Sequence, residues 1–427
     1  MRFASVWERA LGLARTVVEG VGFDQAAAGG AGAVVVSVRP AAKARGRCGV
    51  CSLRSPGYDR GEGRRRWRAL DMGAVRVFVE ADAPRVDCPE HGPTVAQVPW
   101  ARHAAGHTRD FDDQAAWLAV HVSKSAVVDL LRVGWRTVGA VVERVQADVD
   151  ARVDRLDGLE RIGVDEVSYK RGHRYLTVVV DHGTGRLVWA RPGRDAATLR
   201  TFFDELGPER CARITHISAD MAPWIAAAAA ERAPQAVLCA DGFHVVAWAS
   251  EALDAERRRA WNEASGRRRT EPTGIPRAAK GHARDLKRAR WALWKNPENL
   301  TGNQRLQLEW IAKADPRLWR AYLLKEGVRH AFAAKGEAGK QALDSWAAWA
   351  ARSRLPAFVE LARKIRKHRP AIDAALDSGL SNALVESTNT KIRLLTRIAY
   401  GFHGPEPLIA LAMLALGGHP PALPGRN

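Results

Sequence analysis

The sequence predicts a multidomain α+β protein, and three observations carry that expectation. A Cys-x-x-Cys pair and a Cys-x-x-His pair flank β-rich segments near the N-terminus. From about residue 160 to residue 245, short apolar runs with turn residues between them alternate with amphipathic stretches. The segment from 244 to about 375 then reads as helix throughout, before a last polar helix and an apolar one close the chain.

With 427 residues, the chain is long enough for two to four domains of roughly 150 residues each. It holds 66 Lys+Arg against 47 Asp+Glu, a formal charge of +19, and a surplus of that size points to a polyanionic partner, foremost nucleic acid. Part of the surplus can also follow from codon bias, since Arg and Ala dominate. MRFASVWERALGLARTVVEG is interrupted by Glu8, Arg9 and Arg15, which argues against a secretory signal. The late run LIALAMLALGG is about half a membrane span. A cytoplasmic protein without membrane contact is therefore expected. Five cysteines in so long a chain are no disulfide framework and point to metal or burial.

Residues 1–104 are expected to form a zinc-binding β module. TVVEGVGFD and AVVVSVRP are apolar runs separated by AAAGGAGA, the pattern of a hairpin. Cys48 and Cys51, then Cys88 and His91, are two knuckles that each place two ligands on a tight turn, which together complete a tetrahedron around zinc. Pro89 and Gly92 suit such a turn; the alternative is four unrelated residues. The segment between the knuckles reads as a hairpin, and Arg64, Arg65, Arg66 and Arg68 around Trp67 could grip phosphate or form a solvated edge.

Residues 105–155 read as helices broken at Val133-Gly134, with Ser125 as a cap for the middle one and Gly134 supplying the turn. Short helix, glycine turn and helix is the order of a helix-turn-helix, whose second helix would offer Trp135, Arg136 and Thr137 to DNA. Any three-helix packing would share that pattern.

Between 156 and 245, IGVDEVSY, RYLTVVVDH and RLVWARPG form a predicted antiparallel meander. AATLRTFFDELG should be a helix ending at Gly207, THISAD a strand, APWIAAAAAERAP a helix and AVLCAD a strand. Three strands followed by α-β-α-β-α is the element order of a ribonuclease-H-like sheet, with Asp165 on the first strand and Asp220 at the end of the fourth. Residues 246–375 would be an all-α insertion, with eight of the fifteen tryptophans between 248 and 349. Most of these should be helix–helix core, with stacking on nucleobases the lesser alternative. GRRRTEPTGIPRAAKG reads as an exposed loop. Residues 376–427 would return to the sheet on a helix bearing Glu386.

Asp165, Asp220 and Glu386 are three carboxylates of the kind that hold Mg²⁺ (or Mn²⁺) for phosphodiester chemistry through hard oxygen ligands. Strand alternation forbids Asp165 and Glu166 from facing one metal together, and the pattern leaves open which does. Asp241 could be a ligand or a helix cap, and His244 could contact the scissile phosphate or order a water. On the last helix, Asn389 and Thr390 at i+3 and i+4, then Arg393 and Arg397, share the Glu386 face. Asn389, Lys391, Arg393 and Arg397 are candidate phosphate contacts, and Ile392, Leu395 and Ile398 can pack.

These motifs have a known counterpart. Along nearly its whole length the chain resembles the DDE transposases of bacterial insertion sequences, most closely the ISL-three family, through CGVC…CPEH, the helix-turn-helix, IGVDEVSYKRGHRYLTVVVD, SADMAPW, CADGFHVV and VESTNTKIRLLTRIAYGF. The second knuckle ends in His91 where the family more often has Cys. The resemblance implies that Asp165, rather than Glu166, forms a catalytic triad with Asp220 and Glu386, and that the helical segment is an insertion domain. It also implies double-stranded DNA as partner, the terminal inverted repeats and a target, and a dimer that joins two ends. A DNA-binding transcriptional regulator, or an inactive transposase derivative, is the competing expectation; a nuclease or junction resolvase on the same fold is a third.

Overall fold

The structure, a computed structural model, describes residues 3–25, 32–265 and 277–426. Contacts divide the chain into one unit of residues 1–155 with 394–427 and another of residues 156–393.

In the first unit, a short helix α1 (Phe3–Ala10) precedes β1 (Thr16–Asp24) and β2 (Ala33–Pro40), the expected hairpin. After β3 (Gly57–Asp59), the expected second hairpin is β4 (Arg64–Met72) and β5 (Val75–Asp82). The hairpins join because β2 pairs in parallel with β5, giving the order β1-β2-β5-β4. Alternation explains the burial, since Val77, Val79 and Ala81 all point inward to meet Val36, Val38 and Trp67. A smaller sheet β3-β6-β7 is completed by β6 (Arg85–Cys88) and β7 (Gly92–Val95).

Three helices follow, α2 (Arg109–His121), α3 (Lys124–Leu131) and α4 (Trp135–Asp150). Two local expectations are corrected here. Ser123, not Ser125, caps α3, its hydroxyl accepting from the Ala126 amide at 3.2 Å, whereas Ser125 lies inside the helix. An N-cap side chain must stand before the first helical residue to reach the N3 amide. The turn before α4 is made by Arg132 in the left-handed region (φ 53°), while Gly134 is extended (φ −74°) and only begins the next helix. The closing apolar run is α17 (Glu406–Leu416), whose Leu411 and Leu414 fill the core with Val138, Val141 and Val145 of α4. Among the described residues, no helix is long and apolar enough to cross a membrane.

The second unit opens with the expected meander of β8 (Arg161–Lys170), β9 (Arg174–Asp181) and β10 (Leu187–Pro192). Helix α5 (Ala196–Leu206) ends at Gly207 (φ 80°), a conformation glycine adopts freely. A short α6 (Pro208–Cys211) was not legible in the sequence; β11 (His216–Ala219), α7 (Pro223–Arg232), β12 (Val237–Ala240) and α8 (Gly242–Ala264) follow. The sheet order is β10-β9-β8-β11-β12, with β11 parallel to both β8 and β12. Ile162, Val164 and Val179 meet Ile217, Leu199, Phe202 and Ile225 in its core.

The next seven helices are α9 (Arg277–Arg288), α10 (Arg290–Trp294), α11 (Gly302–Ala314), α12 (Pro316–Ala334), α13 (Gly336–Arg352), α14 (Pro356–Lys367) and α15 (Arg369–Ser378). With α8 they enclose one core that includes Leu253, Leu293, Leu324, Trp346 and Phe358. Trp346 is buried in it, and Trp248, Trp261, Trp310 and Trp319 pack against it, but Trp291, Trp294 and Trp349 are exposed. Of the expected loop at 266–281, residues 266–276 lie outside the described residues. From Arg277 the chain is already helix α9, a correction to that reading. Helix α16 (Ala383–Ile398) carries Glu386. The stretch 376–427, read as one piece from the sequence, is thus divided between the two units at residue 394.

Candidate active site and metal centre

Cys48, Cys51, Cys88 and His91 converge, all four ligand atoms lying within 4.8 Å of one another. Cys51 Sγ is 3.6 Å from Cys88 Sγ, Cys88 Sγ is 3.6 Å from His91 Nδ1, and Cys48 Sγ is 3.9 Å from the same nitrogen. A zinc ion with bonds of about 2.0–2.3 Å makes a tetrahedron with edges of about 3.5–3.8 Å, so the set fits zinc in chemistry and size. Each knuckle is built locally. The Val50 amide points at Cys48 Sγ (3.4 Å), and Gly92, at φ 63°, turns the chain between β6 and β7. The His91 hydrogen bond draws the Cys88 thiol down to about 6. The Leu53 backbone contact pulls Cys51 down, but burial and the sulfurs of Cys48 and Cys88 together push it up to about 11.

The acidic site is assembled by register. Ala219 pairs with Val164 across the parallel β8 and β11, so the next residues of the two strands, Asp165 and Asp220, emerge side by side. Helix α16 is then fastened to both strands. Asn382, fully buried, accepts through Oδ1 from Ser218 Oγ on β11 (2.7 Å) and reaches the Val164 carbonyl with Nδ2 (3.5 Å). Its own carbonyl accepts from the Glu386 amide at 2.8 Å. Ser218 donates its proton to Asn382, so His182, 2.7 Å away, must be the donor through Nε2. The helix comes so close that a Cβ at Gly163 would collide with the Val385 side chain. One turn beyond Glu386, Asn389 donates from Nδ2 to Asp165 Oδ2 (2.8 Å), while Asp165 Oδ1 accepts from the Glu166 amide (2.8 Å).

Burial, foremost, pushes Asp165 up to about 6; the charges of Asp220 and Glu386 add to this, while the Glu166 amide and His244 oppose it. Glu166 is also raised, chiefly by burial, and turns to Arg194 at 2.6 Å. Asp241 takes the capping role of the two left open, accepting from the Phe243 amide (3.1 Å) and pairing with His244 Nδ1 (2.7 Å). That bond, with the charges of Asp241, Asp220 and Asp165, raises the His244 pKa. A half-exposed imidazole therefore stands beside the acids, held by Asp241. Among the described residues, the cysteine–histidine set is the one group already closed around a metal-sized space, and the three carboxylates form no such closed set.

The proposed nucleic-acid contacts fare unevenly. Arg64 and Arg66 do not offer free guanidinium groups: both pair with Glu80, and Arg66 also with Asp24. Arg65 donates to the Ala105 carbonyl and stacks on Trp67, so this triple belongs to a sheet edge. The cause is register, since β5 places Glu80 directly opposite Arg66. Asn389 is likewise corrected: it is 1% exposed and turned inward onto Asp165 rather than toward a phosphate backbone. Lys391, Arg393 and Arg397 are exposed, as are Trp135, under the Lys124 ammonium, and Arg136, while Thr137 is half-buried. Ile398, expected to pack, is exposed. Ser218, Asn382 and His182 were missed; an Asn one turn before the glutamate of a helix is an N-terminal cap pattern that could have drawn attention to Asn382.

Comparison with known proteins places the chain among transposases. A family model described as "Transposase" matches residues 162–412. A zinc-finger of transposase IS204/IS1001/IS1096/IS1165 matches residues 44–91, and a helix-turn-helix domain of transposase family ISL3 matches residues 96–146. The transposase for insertion sequence element IS1557, from two strains of Mycobacterium tuberculosis, is 61% identical over 437 residues, covering 100% of this chain and 98% of that protein. The transposase for insertion sequence element IS1001 of Bordetella parapertussis is 28% identical over 345 residues, covering 80% of this chain and 82% of its own.

Proposed function

Because the chain belongs to the ISL-three family of insertion-sequence transposases, enzymes that cleave and rejoin DNA strands, we propose that Asp165, Asp220 and Glu386 are its catalytic carboxylates. The observation that carries this is the double fastening of α16. Through Asn382 to β8 and β11, and through Asn389 to Asp165, the helix is tied to the strand that carries Asp165 and to the strand that Asp220 follows. An order of three antiparallel strands followed by two parallel ones supports a ribonuclease-H-like catalytic sheet, spanning about 156–245 and resuming at 376. The helices between would be an insertion that returns Glu386 to the sheet. Residues 1–104 and 105–155 are read as the zinc and helix-turn-helix modules that bind the terminal repeats.

Three carboxylates, one held at a raised pKa first by burial and then by its neighbours' charge, are a donor set suited to Mg²⁺, which when bound supplies charge neutralisation and an activated water for phosphodiester hydrolysis. The chain's own residues prepare that site. Asn389 and the Glu166 amide fix both Asp165 oxygens, so the side chain keeps one rotamer. His244, oriented through Nδ1 by Asp241, is placed to contact an incoming phosphate. Exposed Lys391 and Arg393 would carry the backbone past Glu386. Joining two element ends calls for two copies of the chain, so a dimer on DNA is part of the proposal. In the test, Asp165→Ala, Asp220→Ala and Glu386→Ala lose Mg²⁺-dependent cleavage of end-containing DNA yet shift that DNA as the parent does. Normal cleavage by any of the three overturns the assignment, and a parent protein that shifts the DNA but never nicks it would be a regulator.

A further inference from the structure

Helices α9 and α10 present a face that the fold leaves uncovered. Leu286, Ala289 and Leu293 are fully buried in the helical core. On the opposite side, Arg284, Lys287, Arg288, Trp291, Trp294 and Lys295 recur at i, i+3, i+4, i+7, i+10 and i+11, and all six are exposed. Residues 284–295 carry five basic residues against one acid, Asp285, which lies 3.9 Å from Arg284. Trp291 is 58% exposed, the most of any tryptophan among the described residues, and Trp294 is 38% exposed. Their rings meet edge to face at 5.9 Å, and the Arg290 guanidinium lies 5.2 Å from one centroid and 4.5 Å from the other. Arg290 Nε is buried with no hydrogen-bond partner.

We infer that this face binds DNA through unpaired nucleotides, the indole rings stacking on bases and the surrounding cations taking the phosphates. Two large rings in water beside Arg and Lys are the composition of a single-strand platform, where stacking supplies the affinity and charge follows the backbone. A paired, stacked duplex offers phosphates and base edges but no free base face, so the rings discriminate for an unpaired segment. The cations alone would bind either form. The apolar rings could instead meet protein, but a second copy of this face would bring five basic residues against five, which like-charge repulsion disfavours.

The test uses the full zinc-loaded chain and two dye-labelled probes, a single-stranded oligothymidine and a blunt-ended, fully complementary duplex, read by fluorescence anisotropy. Trp291→Ala with Trp294→Ala is expected to weaken oligothymidine binding at least about fivefold per ring while duplex affinity stays within about twofold. Trp291→Phe with Trp294→Phe, which keeps a π face, should restore most of the loss and covers the case in which the alanine variant fails to fold. Unchanged oligothymidine affinity in the folded alanine variant, or an equal loss on both probes, overturns the inference. So does a change confined to the sedimentation of the free protein, which would mark a protein interface.

Discussion

Replacing Asp165 with Asn should stabilise the protein at pH 8 when zinc is retained and magnesium is left out. The folded protein holds Asp165 at about 6, against 3.8 for the ordinary side chain, first through burial and then through Asp220 and Glu386. The sign follows from proton linkage. Below the unfolded pKa both states are protonated and the group costs nothing; between 3.8 and about 6 the folded state keeps a proton the unfolded one has released, so stability falls as pH rises. Above that window the whole penalty is present, on the order of 3 kcal/mol at 1.36 kcal/mol per unit. Asn carries no charge; its oxygen can accept from the Glu166 amide, and its NH2 can donate to Asn389 once that amide turns over to present its otherwise unpartnered Oδ1. At roughly 2–4 °C per kcal/mol for a domain of this size, the variant should melt about 6–12 °C higher at pH 8 and almost unchanged at pH 4. Circular dichroism melts at the two pH values, with and without Mg²⁺, make the assay. Equal melting at pH 8, or the same gain at both pH values, would refute the electrostatic account. Added Mg²⁺ should raise the parent more than the variant, because the parent keeps three anionic ligands where the variant keeps only Asp220 and Glu386.

Three further outcomes are expected. Cys48→Ser should lower bound zinc to below stoichiometric by metal analysis and abolish binding to the element ends, since the set closes only with all four ligands. Ser218→Ala removes the hydroxyl shared by His182 and Asn382, leaving buried polar atoms unpaired at a cost of about 1–3 kcal/mol. It should slow strand cleavage in a gel assay while end binding in a shift assay is unchanged. Ser123→Ala should destabilise the helix-turn-helix by about 0.5–2 kcal/mol in denaturant unfolding, and Ser125→Ala by far less, because Ser123 caps α3.

The zinc knuckles, the meander and the alternation of strands and helices after it were legible because each rests on local chemistry. Ligand spacing on a tight turn, strand period and Gly207 at a helix end need no knowledge of distant contacts. The three acids were legible as residues on strand, strand end and helix for the same reason. What the sequence could not contain was the pairing of elements far apart in the chain. The fate of Arg66 depended on β5 setting Glu80 opposite it, and the inward turn of Asn389 on the helix meeting a strand more than two hundred residues earlier. Side-chain periodicity places Asn389 on the Glu386 face but cannot say that the face is covered by Asp165. The tryptophans divided likewise, as one helical pattern buries Trp346 and exposes Trp291 according to which side the core lies on. Composition and spacing therefore determined which chemistry the chain carries. Tertiary packing alone decided which polar groups are spent inside the protein and which are left to meet DNA, because that depends on desolvation and on partners brought together only when the chain is folded.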